Sequence, residues 1–176
     1  MLKLPLLTTL ILLITNSCFS QAFDLPMLAK LYETDIQKIG QAIDHNKWVN
    51  EYNIVQTENP IKLTQWRFTG TTLGKPQRTT IKVSDFGKKA PKMLIFLTQE
   101  TKTTSEVDEA IKLLKLPVKN TDHARGRIHK NYYYRKYLLT LSKIENSTIV
   151  SISSLKEYLE ENKAKKSKNP DVVIGH

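Results

Sequence analysis

The chain has 176 residues, with 27 lysines and arginines against 17 aspartates and glutamates, a formal charge of +10, and one cysteine. A lone cysteine excludes intrachain disulfides and cysteine-based zinc centres, so cohesion must come from a packed core. The positive balance favours anionic partners such as acidic glycans, lipid head groups, nucleic acid or an acidic protein, and selects none of them.

Residues 1–22 read as an export signal: Met1 and Lys3, an apolar stretch over residues 4–14 broken only by Pro5, Thr8 and Thr9, then small and polar residues. The stretch is shorter than the roughly 18 residues a membrane crossing needs, so no transmembrane span is predicted. Ser20-Gln21-Ala22 favours cleavage before Phe23, and Cys18-Phe19-Ser20 fits cleavage before Gln21 less well. An exported protein, periplasmic or secreted, is expected. A form lipid-anchored through Cys18 is the competing reading; Thr15 stands where leucine usually precedes an acylated cysteine, and one acyl chain anchors only weakly. Cleavage before Phe23 leaves about 154 residues with a charge of +9, the length of one domain.

Asp24 can cap a helix in which Leu25, Leu28, Leu31, Ile36, Ile39 and Ile43 recur on one face, as one helix or as two meeting near Glu33. Pro26 sits in the first turn, where its missing N–H is harmless. Period-two alternation begins at Trp48. Thr64, Trp66 and Phe68 then share a face against Gln65 and Arg67, and residues 80–86 return with Ile81 and Val83, which predicts a hairpin. The unbroken apolar run over residues 93–97 predicts a strand buried on both faces, around which the rest packs. Val107, Ala110, Ile111 and Leu114 predict a helix beginning near Ser105 and stopped by Leu116-Pro117.

Residues 118–130 read as a loop. Strands over 131–143 and 148–153 follow, joined around Glu145-Asn146-Ser147, with Leu138, Leu139 and Leu141 inside. Ser154-Leu155-Lys156-Glu157 has the form of a capping box for a last helix. The prediction is a single α+β domain over residues 23–162: an antiparallel sheet of about five strands in the order α-β-β-β-α-β-β-α, with helices packed mainly on one face. Residues 163–176, with Lys163, Lys165, Lys166 and Lys168 ahead of Asn169-Pro170, read as a basic, flexible tail.

The most distinctive composition lies in residues 123–137, which contain no acid. Arg125, Arg127, Lys130, Arg135 and Lys136 alternate with Tyr132, Tyr134 and other tyrosines, a mixture that lets rings stack while guanidinium groups hold phosphate, sulfate or carboxylate. These seven residues are the candidate contact set for an anionic polymer or acidic protein. The same tyrosines also suit a strand packed on helices.

His123 and His129 have only Asp122 nearby, too few ligands for a metal, and no cofactor is predicted. No nucleophile motif accompanies them, so binding is preferred to catalysis. The alternative is a hydrolase for an anionic substrate, with His123 or His129 as base near a carboxylate such as Asp85 or Glu100; a further alternative is a scaffold using a sheet edge. Gly70-Thr71-Thr72-Leu73-Gly74-Lys75 lacks the spacing and the following hydroxyl of a phosphate loop and reads as a turn. Asn146-Ser147-Thr148 is a glycosylation sequon on a turn. Trp48 and Trp66 are assigned to the core.

Overall fold

A computed structural model describes residues 23–55, 61–72, 75–87, 90–124, 127–144 and 146–168. The expected export signal with Cys18, the expected Asn59-Pro60 turn, Arg125, Glu145 and residues 169–176 lie outside them, and the Arg127 side chain does too.

Helix α1 (Leu25–Glu33) starts where Asp24 Oδ1 accepts from the Met27 amide at 3.0 Å, and it buries Leu25, Leu28, Ala29 and Leu31. It ends at Thr34. Asp35 then caps a short 3-10 turn (Ile36–Lys38) by accepting from the Gln37 amide at 2.9 Å, and helix α2 (Ile39–Ala42) follows. The carboxylates at Asp24 and Asp35 satisfy amides that have no partner within the helix, which is why two helical pieces form instead of one.

Strands β1 (Trp48–Val55), β2 (Lys62–Phe68), β5 (Thr79–Asp85) and β6 (Met93–Thr98) form an antiparallel meander, with a small side hairpin of β3 (Thr71–Thr72) and β4 (Lys75–Pro76). Helix α3 (Thr101–Leu113) leads to a second meander, β7 (Val118–Ala124), β8 (Arg127–Tyr134), β9 (Tyr137–Ile144) and β10 (Ser147–Ser154), and α4 (Leu155–Lys168) ends the described chain. The two meanders join through their last strands into one sheet ordered β1-β2-β5-β6-β10-β9-β8-β7. Each half is thus a helical segment followed by four strands, and the halves meet at the antiparallel β6–β10 pair.

The α+β class stands, but five strands in the order α-β-β-β-α-β-β-α is overturned by this eight-stranded sheet. The stretch read as a loop, residues 118–130, contains all of β7 and the start of β8. The stretch read as one long strand, residues 131–143, is two strands turned at Arg135-Lys136. Edge strand β7 buries none of its described side chains, Val118 to His123, so it has no apolar alternation to detect. The Arg135-Lys136 turn contains none of the Gly, Asn, Asp or Pro that usually mark a hairpin. The central strand also differs from expectation: Leu94 and Phe96 are fully buried, but Met93 is 37% exposed and Ile95 and Leu97 are half-buried, so its second face is only partly covered.

Register explains the core. Thr64, Val83, Leu94, Ile152, Leu139 and Tyr132 stand opposite one another across six strands, and Trp66, Ile81, Phe96, Val150 and Leu141 form the next row. This inner face takes α1, which lies against β6 and β10, and the 3-10 turn, which lies against β2 and β5. Val107 and Ile111 bring α3 into the same core. Helix α4 lies elsewhere: Tyr158 Oη accepts from Asn120 Nδ2 at 3.3 Å, and Asn120 pairs with Asn131, which alternation places opposite the face of Tyr132. Both edge strands carry a bulge, β1 at Glu51 and β7 at Lys119. A charged residue in a bulge discourages the addition of a further strand.

Candidate functional site

The predicted contact set falls on β8 and its turn into β9. Tyr132 and Tyr134 are 5% and 6% exposed, so their rings belong to the core. Lys130, Arg135 and Lys136 are exposed. Lys130 continues the second inner row, between Leu141 of β9 and Thr121 of β7, and stands five positions before Arg135, roughly 16 Å of strand. The structure therefore brings Tyr134, Arg135 and Lys136 together and sets Lys130 apart.

The turn is held by rings and one carboxylate. Arg135 has a left-handed backbone (φ 56°), and its guanidinium carbon lies 5.3 Å from the centroid of Tyr134. Tyr134 stacks on Tyr137 at 6.3 Å between centroids, and Lys136 Nζ lies 5.7 Å above the Tyr137 ring. The Tyr137 hydroxyl donates to Glu33 Oε1 at 2.6 Å, and Lys136 pairs with the same carboxylate. The hydrogen bonds from Lys136 first, and from Tyr137 next, hold the Glu33 carboxyl below the usual carboxylate range. Burial, and then the bond to Glu33, pushes the Tyr137 hydroxyl up to about 12.

A second set of titratable groups adjoins it. Tyr32 packs edge-on to Tyr137 at 5.6 Å, and Lys92 Nζ lies 5.6 Å from the Tyr32 ring while donating to the Thr34 carbonyl at 2.6 Å. A cation there meets the negative end of α1. Burial lowers the Lys92 ammonium from its ordinary value, and burial followed by the charges of Glu157 and Asp85 raises the Tyr32 hydroxyl. Lys92 opens on a cleft of ≈ 660 Å³ whose other walls include Asp85, Pro91, Glu157, Glu160 and Glu161. In a chain of net positive charge, this large concavity is acidic. A smaller recess of ≈ 340 Å³ lies between the start of α3 and the β9–β10 turn, lined by Gln99, Thr101, Thr104, Lys143, Asn146 and Thr148. Asn146, the sequon asparagine, is exposed.

The two histidines part company. His123 and Asp122 are neighbours on a pleated strand, so their side chains point to opposite faces. His123 pairs with Ile128, whereas Asp122 pairs with His129, and His129 pairs with Ser142 on β9. The His129 Nδ1 to Ser142 Oγ distance is 2.5 Å. Asp85 is in the acidic cleft, and Glu100 begins α3 and accepts from the Arg78 amide at 3.1 Å. Neither carboxylate named in the hydrolase alternative is paired with His129. Sequence reasoning missed Ser142. Its only signal is the alternation Leu139, Thr140, Leu141, Ser142, which sets it on the face away from the leucines; its partner depends on register.

Among the described residues, no three His, Cys, Asp or Glu side chains stand together as a metal site requires, and no helix is long and apolar enough to cross a membrane. Compared with protein-family models, curated proteins and solved structures, the chain matches none.

Proposed function

We propose that the protein is an exported binding module that engages an anionic partner through the cations of the β8–β9 corner. The observation that carries this reading is the turn at Arg135-Lys136. Arg135 is exposed, has no carboxylate within salt-bridge distance among the described residues, and lies over Tyr134. A guanidinium oriented by a ring has lost part of its rotamer freedom before binding, so less ordering cost remains when it forms paired hydrogen bonds with phosphate, sulfate or carboxylate. Lys130 and Lys119 extend the positive surface along the outer strands; both are exposed, and Lys119 Nζ lies 5.4 Å from the Tyr133 ring. The rings of Tyr132 and Tyr134 act in this reading as a floor beneath the cations.

The test compares retention on immobilised heparin with retention on a cation exchanger of matched charge, for the wild type and for a variant with Lys130, Arg135 and Lys136 changed to alanine. The wild type should elute from heparin at clearly higher salt, and the variant should lose that excess. Equal elution from both columns would reduce the charge to a generic property, because exposed charges are screened within about 8 Å at physiological ionic strength. The His129–Ser142 contact favours a second reading, hydrolysis.

A further inference from the structure

On the face of the sheet away from α1, one register row runs Asp122, His129, Ser142, Ile149, Leu97 across β7, β8, β9, β10 and β6. His129, Ile149 and Leu97 are half-buried, while Ser142 is 5% exposed, so the hydroxyl lies at the floor of a partly covered strip. His129 Nδ1 stands 2.5 Å from Ser142 Oγ. This distance is within reach for direct proton transfer, and both groups are set by strand pairing instead of by a loop. Asp122 faces His129 from β7 without a hydrogen bond to it, so the arrangement is a dyad.

We infer that Ser142 is a nucleophile activated by His129, and that the strip hydrolyses carboxylic esters with short apolar acyl groups. As Ser142 Oγ bonds to the acyl carbon, its proton passes to His129 Nδ1. Collapse of the tetrahedral intermediate breaks the bond to the alcohol oxygen, and the leaving alkoxide takes that proton. Water then attacks the acyl-serine, gives one proton to Nδ1, and releases the acid as Ser142 Oγ recovers the proton. The net change is ester plus water to acid plus alcohol. The acyl preference comes from the continuation of the row: beyond Ser142, Ile149 and Leu97 offer an aliphatic shelf two strands wide, about 10 Å. Asn131, two residues from His129 on the same face, accepts from Thr140 Oγ1 at 2.6 Å through its carboxamide oxygen. Its position beside the strip makes its amide group a candidate to polarise the acyl carbonyl.

The experiment treats the full chain with a fluorophosphonate, then reads intact mass and maps the modified peptide. One adduct, located at Ser142, is expected, forming at least about 100-fold more slowly in His129→Gln. Hydrolysis of p-nitrophenyl butyrate should exceed that of the acetate by about tenfold, as two added CH2 groups find the shelf, and Ser142→Ala should abolish both. No adduct at Ser142 in the folded wild type, or equal labelling of His129→Gln, overturns the nucleophile; equal rates for acetate and butyrate overturn the acyl assignment. The wild-type peptide map decides the question even if the alanine variant fails to fold.

Discussion

Tyr137 shows how one side chain couples the two halves of the chain to pH. Its ring is in the core and its hydroxyl donates to Glu33, so the folded state holds that proton more firmly than the unfolded chain does. A pKa raised from 10.0 to about 12 contributes stability that is fully present below pH 10 and is lost as the pH rises through 12. Glu33 has the opposite sign: its lowered pKa contributes stability above the unfolded value of 4.5, lost as the pH falls through the folded one. Tyr137→Phe should therefore cost about 1 kcal/mol at pH 7, the worth of an ordinary hydrogen bond. It should also flatten the wild-type loss of stability between pH 10 and 12. Urea unfolding at both pH values checks the pair of effects; an unchanged alkaline limb would mean that another group carries it. None of this was legible in the sequence. Glu33 and Tyr137 are 104 residues apart, and only the docking of α1 beside β9 makes them partners.

At the scale of elements, backbone geometry makes three positions informative. Helix α3 ends with Lys115 in the left-handed region (φ 49°), while the Leu116 amide bonds to the Ile111 carbonyl at 3.3 Å and the Lys115 amide to the Lys112 carbonyl at 3.0 Å. This closing pattern usually employs glycine, since a Cβ is strained there. Lys115→Gly should raise stability by about 0.5–1 kcal/mol. The two glycines near the aromatic core should diverge. A Cβ at Gly40 in α2 would lie 3.7 Å from the Trp66 ring, an ordinary contact, so Gly40→Ala should gain about 0.5–1 kcal/mol of helix stability. A Cβ at Gly70 would come within 2.1 Å of the Phe68 ring, itself 2% exposed, so Gly70→Ala should cost about 1–3 kcal/mol. Thermal unfolding of the three variants orders them, and a stabilising Gly70→Ala would refute the close approach. Elements that bury an apolar set were readable: α1 from Leu25, Leu28 and Leu31, the β2–β5 hairpin from Trp66, Phe68, Ile81 and Val83. Strand β7 was not, because Val118-Lys119-Asn120-Thr121-Asp122-His123-Ala124 forms a strand by pairing with β8 while exposing most of its side chains. The site was legible to the same degree. Cations and tyrosines could be counted from composition, whereas Ser142 gains its partner only from the β8–β9 register.

For the molecule as a whole, the decisive feature is the seam between meanders. Leu94 faces Ile152, Phe96 faces Val150 and Thr98 faces Thr148, and all six are at most 2% exposed. Thr98 Oγ1 also bonds to Thr79 Oγ1 at 2.8 Å, and Thr148 Oγ1 to Thr104 Oγ1 at 2.9 Å, so polar side chains at the end of the seam are satisfied where apolar ones would have been expected. Phe23 packs edge-on against Phe96 at 5.1 Å, and its amide reaches Glu106 of α3 at 3.4 Å, which ties the start of the first half to the helix of the second. Two meanders sharing this much buried surface should unfold as one unit, although each has the local connectivity to form alone. Phe96→Ala removes a fully buried ring at the seam, the one against which Phe23 packs, and should cost about 3–5 kcal/mol. It should do so without splitting the transition. Urea unfolding followed by tryptophan fluorescence reports the first half, because Trp48 and Trp66 are both there. Amide exchange in β8 and β9 reports the second. Coincident midpoints in wild type and variant alike would confirm a single cooperative sheet. If the tryptophan signal were lost while β8 and β9 stayed protected, the seam would be a joint between two independent units.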